Sequence, residues 1–193
     1  MSIVPWKVLG SVRDASYRLF SIRTDTAVNP RTCKAHDFYI LESADWVNVV
    51  ALTPEREVVL VRQYRHGAGA VSLEIPGGLV ETGDSPQSAA LRELEEETGY
   101  QGRDVRFLAS VSPNPAIQNN LCHTFLVLDA RPRSRQNLDD KEDIETVLEP
   151  LDKIPDLIRE GVIDHSLVLS AFFLYLLHYP FDPAQARPPG RSG

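Results

Sequence analysis

An α/β (α+β) layered domain is what this sequence predicts, and three observations predict it. Short apolar and β-branched runs lie before and after one strongly signalled helix, and two further helical stretches close the chain. A length of 193 residues is enough for one domain with a sizeable core. The chain carries no internal repeat and no linker long enough to separate a pair of such domains. The pattern leaves the order of strands within the sheet open.

Taken in order, segments 17–24 (YRLFSIRT) and 36–43 (HDFYILES) read as strands, with Asn29 and Pro30 marking the turn between them. Trp46–Leu52 and 58–64 are apolar, β-branched runs, and Thr53, Pro54, Glu55 and Arg56 between them read as a hairpin turn. A short strand at 71–75 then turns through Pro76, Gly77 and Gly78. A helix over Pro86–Thr98 follows. Ser85 is suited to the N-cap, Pro86 to a first position that needs no N–H, and Gly99 to a left-handed residue past the last turn. Ala89, Ala90, Leu91 and Leu94 supply its buried stripe. Strands are expected at 105–112, Cys122–Leu128 and 144–149, and helices at 154–160 and 166–179, split by Gly161 and by Asp164 and His165. The proline-rich tail, 180–193, is expected to be disordered.

The central helix is electrostatically unusual. Glu93, Glu95, Glu96 and Glu97 crowd into its last turns. Like charges four apart repel by about 0.2–0.5 kcal/mol, and a helix C-terminus disfavours anions by a further ~0.3–1 kcal/mol. Glu93, Glu96 and Glu97 share one face at i, i+3, i+4, while Glu95 points elsewhere. Arg92 offsets some of the charge, and a divalent cation would neutralise the surplus. The glycines before the helix let the backbone come close, so the Gly77 carbonyl is a further candidate ligand. A solvated acidic face is the plainer alternative.

Composition narrows the function classes. A net charge of −7 argues against nucleic acid as a partner, which calls for a basic surface. Cys33 and Cys122 have neither zinc spacing nor a disulfide framework around them, so reduced thiols and a cytoplasmic location are expected. The start, MSIVPWKVLG, lacks the pattern of a signal peptide, and the apolar stretch from Leu167 to Leu177 is too short to span a membrane.

Gly78, Asp84, Arg92, Glu93, Leu94, Glu96, Glu97, Gly99 and Tyr100 match, in order and spacing, the box of the Nudix hydrolase superfamily: G, five residues, E, seven residues, then R-E-U-x-E-E-x-G-U. Asp84 is the one departure, standing where the family has Glu. In the family that Glu braces the loop against the box arginine, so the resemblance implies an Asp84–Arg92 pair with a shorter reach. The segments around Gln63-Tyr64-Arg65 and Leu73-Glu74-Ile75-Pro76-Gly77-Gly78 resemble the ADP-ribose and nucleoside-diphosphate-sugar pyrophosphatase branch. That resemblance implies a mixed sheet between helices over 46–179. It also implies an N-terminal antiparallel β extension, 1–45, of the kind through which such enzymes form homodimers.

On this reading the chain is a Nudix pyrophosphohydrolase. It cuts a nucleotide sugar to a nucleoside monophosphate and a sugar phosphate with magnesium, or manganese, as cofactor. Glu93 and Glu97 are the principal metal ligands, Glu96 an additional one and the Gly77 carbonyl a fourth contact. The general base of the branch lies on an acidic loop well downstream. Here Glu142, in Glu142-Asp143-Ile144-Glu145, fits best, with Asp140 second. Trp46 is a candidate to stack on the base, Arg65 to bind a phosphate, and Glu74 to serve the substrate or the arginine. The loop 113–120, PNPAIQNN, resembles a specificity loop. Cys122 and His123 are neighbours on a strand and point to opposite faces, so they are set aside as a nucleophile pair. A nucleoside triphosphate hydrolase and a non-catalytic nucleotide sensor are the competing readings.

Overall fold

Val49, Val50, Ala51, Val58, Val59, Leu60 and Val61 are all fully buried, so the two apolar runs that form the predicted hairpin are covered on both faces. That explains why they read as unbroken hydrophobic runs and not as an alternation. The structure is a computed structural model that describes residues 2–179. The chain divides into two units. One takes in the chain up to Asp45 together with Val111–Cys122; the other takes in Trp46–Ser110 and the chain from His123 on.

The first unit holds a meander of β1 (Lys7–Ser16), β2 (Phe20–Val28) and β3 (Ala35–Ser43), antiparallel throughout. β1 was not expected from the sequence. Nearly every one of its residues is exposed, so no buried face imposes an alternation that could be read. The expected strand at 17–24 is displaced for a related reason: the β1–β2 turn takes up Tyr17, Arg18 and Leu19, and β2 extends on to Val28. The loop 113–120 also belongs to this unit. Leu41 donates its N–H to the Ile117 carbonyl at 2.7 Å, and Asp45 accepts the Leu121 N–H at 2.8 Å.

The second unit contains β4 (Trp46–Leu52), β5 (Glu57–Arg65), β6 (Ala70–Glu74), β7 (Gly77–Leu79), α1 (Pro86–Thr98), β8 (Tyr100–Gln101), β9 (Asp104–Val111) except Val111, β10 (Cys122–Leu128) except Cys122, β11 (Arg131–Pro132) and β12 (Ile144–Pro150). A 3-10 turn at Leu151–Lys153, α2 (Ile154–Arg159) and α3 (Ser166–His178) complete it. The principal sheet has seven strands. Its main path runs β12-β5-β4-β10-β9, with β6 added to β5 and β7 to β4. Ala89, Ala90 and Leu94 of α1 pack with Val47, Val49, Ala51, Val59, Phe125 and Val127. Val50, Leu52, Val58, Leu60 and Leu126 pack instead with Ile154 of α2 and with Val168, Ala171, Phe172 and Tyr175 of α3. The sheet therefore lies between helices, with successive residues of β4, β5 and β10 serving opposite cores. β7, β8 and β11 are only two or three residues long and were not legible as strands. The expected tail, 180–193, lies outside the described residues.

Candidate functional site

β4 and β5 pair at their hairpin end, Ala51 with Val59 and Leu52 with Val58, and then diverge. β5 takes β6 as its neighbour, with Val61 opposite Glu74 and Arg65 opposite Ala70. β4 takes β7, with Val47 opposite Gly78 and Asn48 opposite Gly77. The chain crosses the gap through Ile75 and Pro76, and the Pro76 carbonyl accepts the Val49 N–H at 2.9 Å. Glycine is required on landing. A Cβ on Gly77 would lie 2.4 Å from the Val47 carbonyl oxygen, and one on Gly78 would lie 2.4 Å from the Glu93 carboxyl. The glycine pair thus brings a strand edge directly against α1.

α1 is fixed at both ends. Ser85 accepts the Ser88 N–H at 3.1 Å and donates its own N–H to the Ser88 hydroxyl at 2.9 Å, a capping box closed by serine. Gly99, at φ 74°, ends the helix, and its carbonyl accepts the Arg133 and Ser134 N–H groups at 2.9 and 3.2 Å. Glu97 is only 4 % exposed, and one of its oxygens accepts the Gly77 N–H at 3.0 Å. Burial pushes its carboxyl up to about 8; the Gly77 hydrogen bond works against that, and the charges of Glu93 and Glu142 add to it. Burial also raises Glu93, Arg92 lowers it, and Glu96 and Glu142 raise it further.

Arg92 gathers the loop and the helix face. Its Nη1 donates to Glu93 and to Glu96 at 3.0 Å each, its Nη2 to the Leu79 carbonyl at 3.1 Å, and its Nε lies 3.4 Å from Asp84. Burial opposes its charge, but Glu93, Glu96 and Glu81 outweigh burial and hold it cationic. Glu95 lies on another face and accepts the Ser134 hydroxyl at 3.2 Å.

A second cation sits at the edge of this acidic face. Arg65 forks onto Glu74 through Nε and Nη2, both at 2.8 Å. Burial alone would raise the Glu74 carboxyl, but Arg65, with help from His165 and Ser72, brings it below the usual carboxylate range. Arg65 also acts on Glu97, favouring its ionised form.

The acidic loop reaches the same carboxyls. Gln136 donates to the Glu97 carbonyl at 2.6 Å and to the Ile144 carbonyl at 3.1 Å, and Asn137 donates its N–H to the Glu96 carbonyl at 2.8 Å. These bonds tie the C-terminus of α1 to the start of β12. The loop between them closes on itself where Glu142 accepts the Asp139 N–H at 3.0 Å. Glu142 is thereby brought close enough for its charge to oppose ionisation of both Glu93 and Glu97. Asp140 is not among the charges acting most strongly on either.

The structure therefore brings together Glu93, Glu96, Glu97, Arg92, Asp84, Gly77, Glu142, Arg65 and Glu74. Trp46 stands one register position beyond, opposite Leu79 on β7, and is partly buried. Cys122 is buried, and burial pushes its thiol up to about 12; the His123 ring meets the Ser110 hydroxyl at 2.6 Å. Sequence reasoning missed Gln136 and Asn137, because a polar residue in a loop carries no pattern that says which carbonyl it will meet.

Among the described residues, no three Asp, Glu, His or Cys side chains are already gathered as a metal-ligand group. Arg92 holds Glu93 and Glu96, and the Gly77 N–H holds Glu97. The donor set nonetheless suits a hard divalent cation. It consists of carboxylates beside a backbone edge, and Arg65 offsets too little of the burial that holds the Glu97 carboxyl up at about 8.

The family model described as NUDIX domain matches residues 43–172. The chain is 33 % identical over 132 residues to a methanol dehydrogenase activator of Bacillus methanolicus, covering 67 % of this chain and 71 % of that protein. It is 43 % identical over 90 residues to an ADP-sugar pyrophosphatase of Mus musculus. That match covers 45 % of this chain and 41 % of the mouse protein, so the chain spans less than half of the latter's length. Among solved structures, that of an ADP compounds hydrolase superposes with a TM-score of 0.80 at 25 % identity, covering 92 % of this chain and 97 % of that one.

Proposed function

The chain belongs to the NUDIX domain family, and from that premise we propose that it hydrolyses the pyrophosphate bond of a nucleoside diphosphate sugar. Water is consumed, and a nucleoside monophosphate and a sugar phosphate are released. The observation that carries this reading is the acidic face of α1 laid against Gly77 and Gly78, with Glu142 and Arg65 acting on the same buried Glu97. The similarity to an ADP-sugar pyrophosphatase and to an ADP compounds hydrolase supports the substrate class.

Glu93, Glu96, Glu97 and the Gly77 carbonyl would hold the divalent cation, magnesium or manganese. When bound, it supplies neutralisation of the phosphate oxygens and acidifies a coordinated water. Glu142 takes the proton from the attacking water, with Asp140 on the same loop as the alternative base. Arg65 offers a phosphate the N–H groups that Glu74 leaves free. Arg92, anchored on the Leu79 carbonyl and on Asp84, keeps Glu93 and Glu96 turned to one side. Trp46 stacks on the nucleobase.

The assembly is a homodimer in the cytoplasm. The β1–β3 meander leaves Val12 and Tyr39, in register across Thr24, exposed on one face and Val8 and Phe38 exposed on the other, apolar side chains that a second copy would cover. Both cysteines are free thiols, as a reducing compartment keeps them. No helix among the described residues is long and apolar enough to cross a membrane.

A panel of ADP-ribose, ADP- and GDP-sugars and nucleoside triphosphates, each with magnesium, tests the reading. Turnover of a nucleotide sugar at the highest kcat/KM is the expected result. Faster turnover of a nucleoside triphosphate would overturn the substrate assignment, and tight binding without any turnover would make the chain a sensor.

A further inference from the structure

Gln136 stands at the neck of the acidic loop, and its amide is turned inward although the residue as a whole is exposed. Nε2 donates to the Glu97 carbonyl at 2.6 Å, to the Ile144 carbonyl at 3.1 Å and, more weakly, to the Thr146 hydroxyl at 3.3 Å. The first two acceptors are carbonyl oxygens, which cannot donate, so the nitrogen of the amide and not its oxygen must face them. On one side the bond completes a helix end, whose last carbonyls have no partner within the helix. Glu95 gives its carbonyl to the Gly99 N–H, Glu96 to the Asn137 N–H, and Glu97 to Gln136. Since the Glu97 carboxyl accepts the Gly77 N–H, that residue is held by both its side chain and its backbone. On the other side the bond takes Ile144, which opens β12 directly after the loop 138–143. One side chain thus fastens the far end of the loop to the turn of α1 on which its near end already rests.

We propose that Gln136 is a positioning residue for the base: its amide staples the loop that carries Glu142 to the turn of α1 that carries Glu96 and Glu97, and so fixes where the proton acceptor stands relative to those carboxylates. This rests on the reading of Glu142 as the base of the proposed hydrolysis. Within the loop, Glu142 donates its N–H to the Asp139 carbonyl at 2.9 Å and accepts the Asp139 N–H at 3.0 Å. The loop is therefore closed on itself, and its placement is decided at the neck. A reacting group displaced by about 1 Å loses on the order of 100-fold in rate, which is why an outer hydrogen bond of this kind reaches the chemistry.

The test uses Gln136→Met, which keeps the length and deletes the donors, and Gln136→Glu, which keeps the shape and sets a carboxylate against the two carbonyls. With ADP-ribose and magnesium, each is expected to lower kcat about tenfold or more with KM within about twofold. In a Glu142→Gln background Gln136→Met should add less than about twofold, since the group it positions is gone. An unchanged kcat in Gln136→Met, or a loss that persists undiminished in the Glu142→Gln background, overturns the proposal. In protein kept in chelator without substrate, hydrogen-exchange NMR should find the Asn137 and Glu142 amides exchanging about tenfold faster in Gln136→Met. Unchanged exchange overturns the proposal independently of turnover, whereas absence of turnover by the unsubstituted chain overturns only the proposed function. Gln136→Ala is the second donor-free variant should Gln136→Met fail to fold.

Discussion

Glu97 is buried against Gly77, and the proposed role as a metal ligand would require that same carboxyl to ionise. Its folded carboxyl is raised from 4.5 to about 8, so in metal-free protein the folded state keeps a proton that the unfolded state has lost across that window. The associated stability is fully present below the unfolded value and is lost as pH rises through the folded one. Calorimetry in a chelator should therefore find Tm falling from about pH 5 to about pH 8, with magnesium restoring it at the upper end. Glu97→Gln should flatten this slope, raising Tm at about pH 8 by about 2–4 °C for each kcal/mol relieved. The same substitution should lower kcat/KM by more than the about 10–100-fold that loss of an outer partner costs. Glu142 is solvent-exposed, and the role proposed for it is that of the base. Glu142→Gln should lower kcat by about 100–10,000-fold with little change in substrate binding, measured by single-turnover kinetics beside equilibrium titration. A rise in KM alone would remove it as the base.

At the scale of the element, α1 works because its termini are fixed while its face stays strained. It has no acidic residue in its first turn and no basic residue in its last, so nothing on the helix complements its dipole. Stability comes from the serine box, the Gly99 cap and the buried Ala89, Ala90 and Leu94. Ser85→Ala should cost about 1 kcal/mol, a fall in Tm of about 2–4 °C. Gly99→Ala should cost more, because φ 74° disfavours any side chain and its Cβ would stand 2.3 Å from the Ser134 carbonyl oxygen. Gly78→Ala separates fold from function: the atoms its Cβ would meet first are those of the Glu93 carboxyl. Magnesium titration of that variant should give a weakened affinity at nearly normal Tm. These features were legible in the sequence because capping and i, i+3, i+4 spacing are local. Gln136 and Asn137, which cap the helix from about forty residues on, were not, because no local rule relates them to its carbonyls.

For the whole molecule, the sheet gathers the site by splaying β4 from β5, so that β6 and β7 fill the gap and lead the glycines onto α1. The N-terminal meander leaves apolar side chains exposed on both faces, Val12 and Tyr39 in register on one of them, and a second copy of the chain is the proposed cover. Sedimentation should therefore give twice the 21.6 kDa chain mass, and Val12→Glu should halve it while leaving the far-UV spectrum unchanged. Boundaries of β4, α1 and β10 were readable to the residue, since each is an unbroken apolar run or a capped amphipathic helix. β1 was not, because a strand exposed on both faces leaves no periodicity. By itself the sequence determined the layered class, the capped helix and the carboxylates that share its face, because all of these follow from spacing along the chain. Only the tertiary structure decided that Arg65 is held by Glu74, that Gln136 and Asn137 meet the end of α1, and that Glu142 acts on Glu97. Those relations join residues far apart in sequence, and their energies depend on burial and distance.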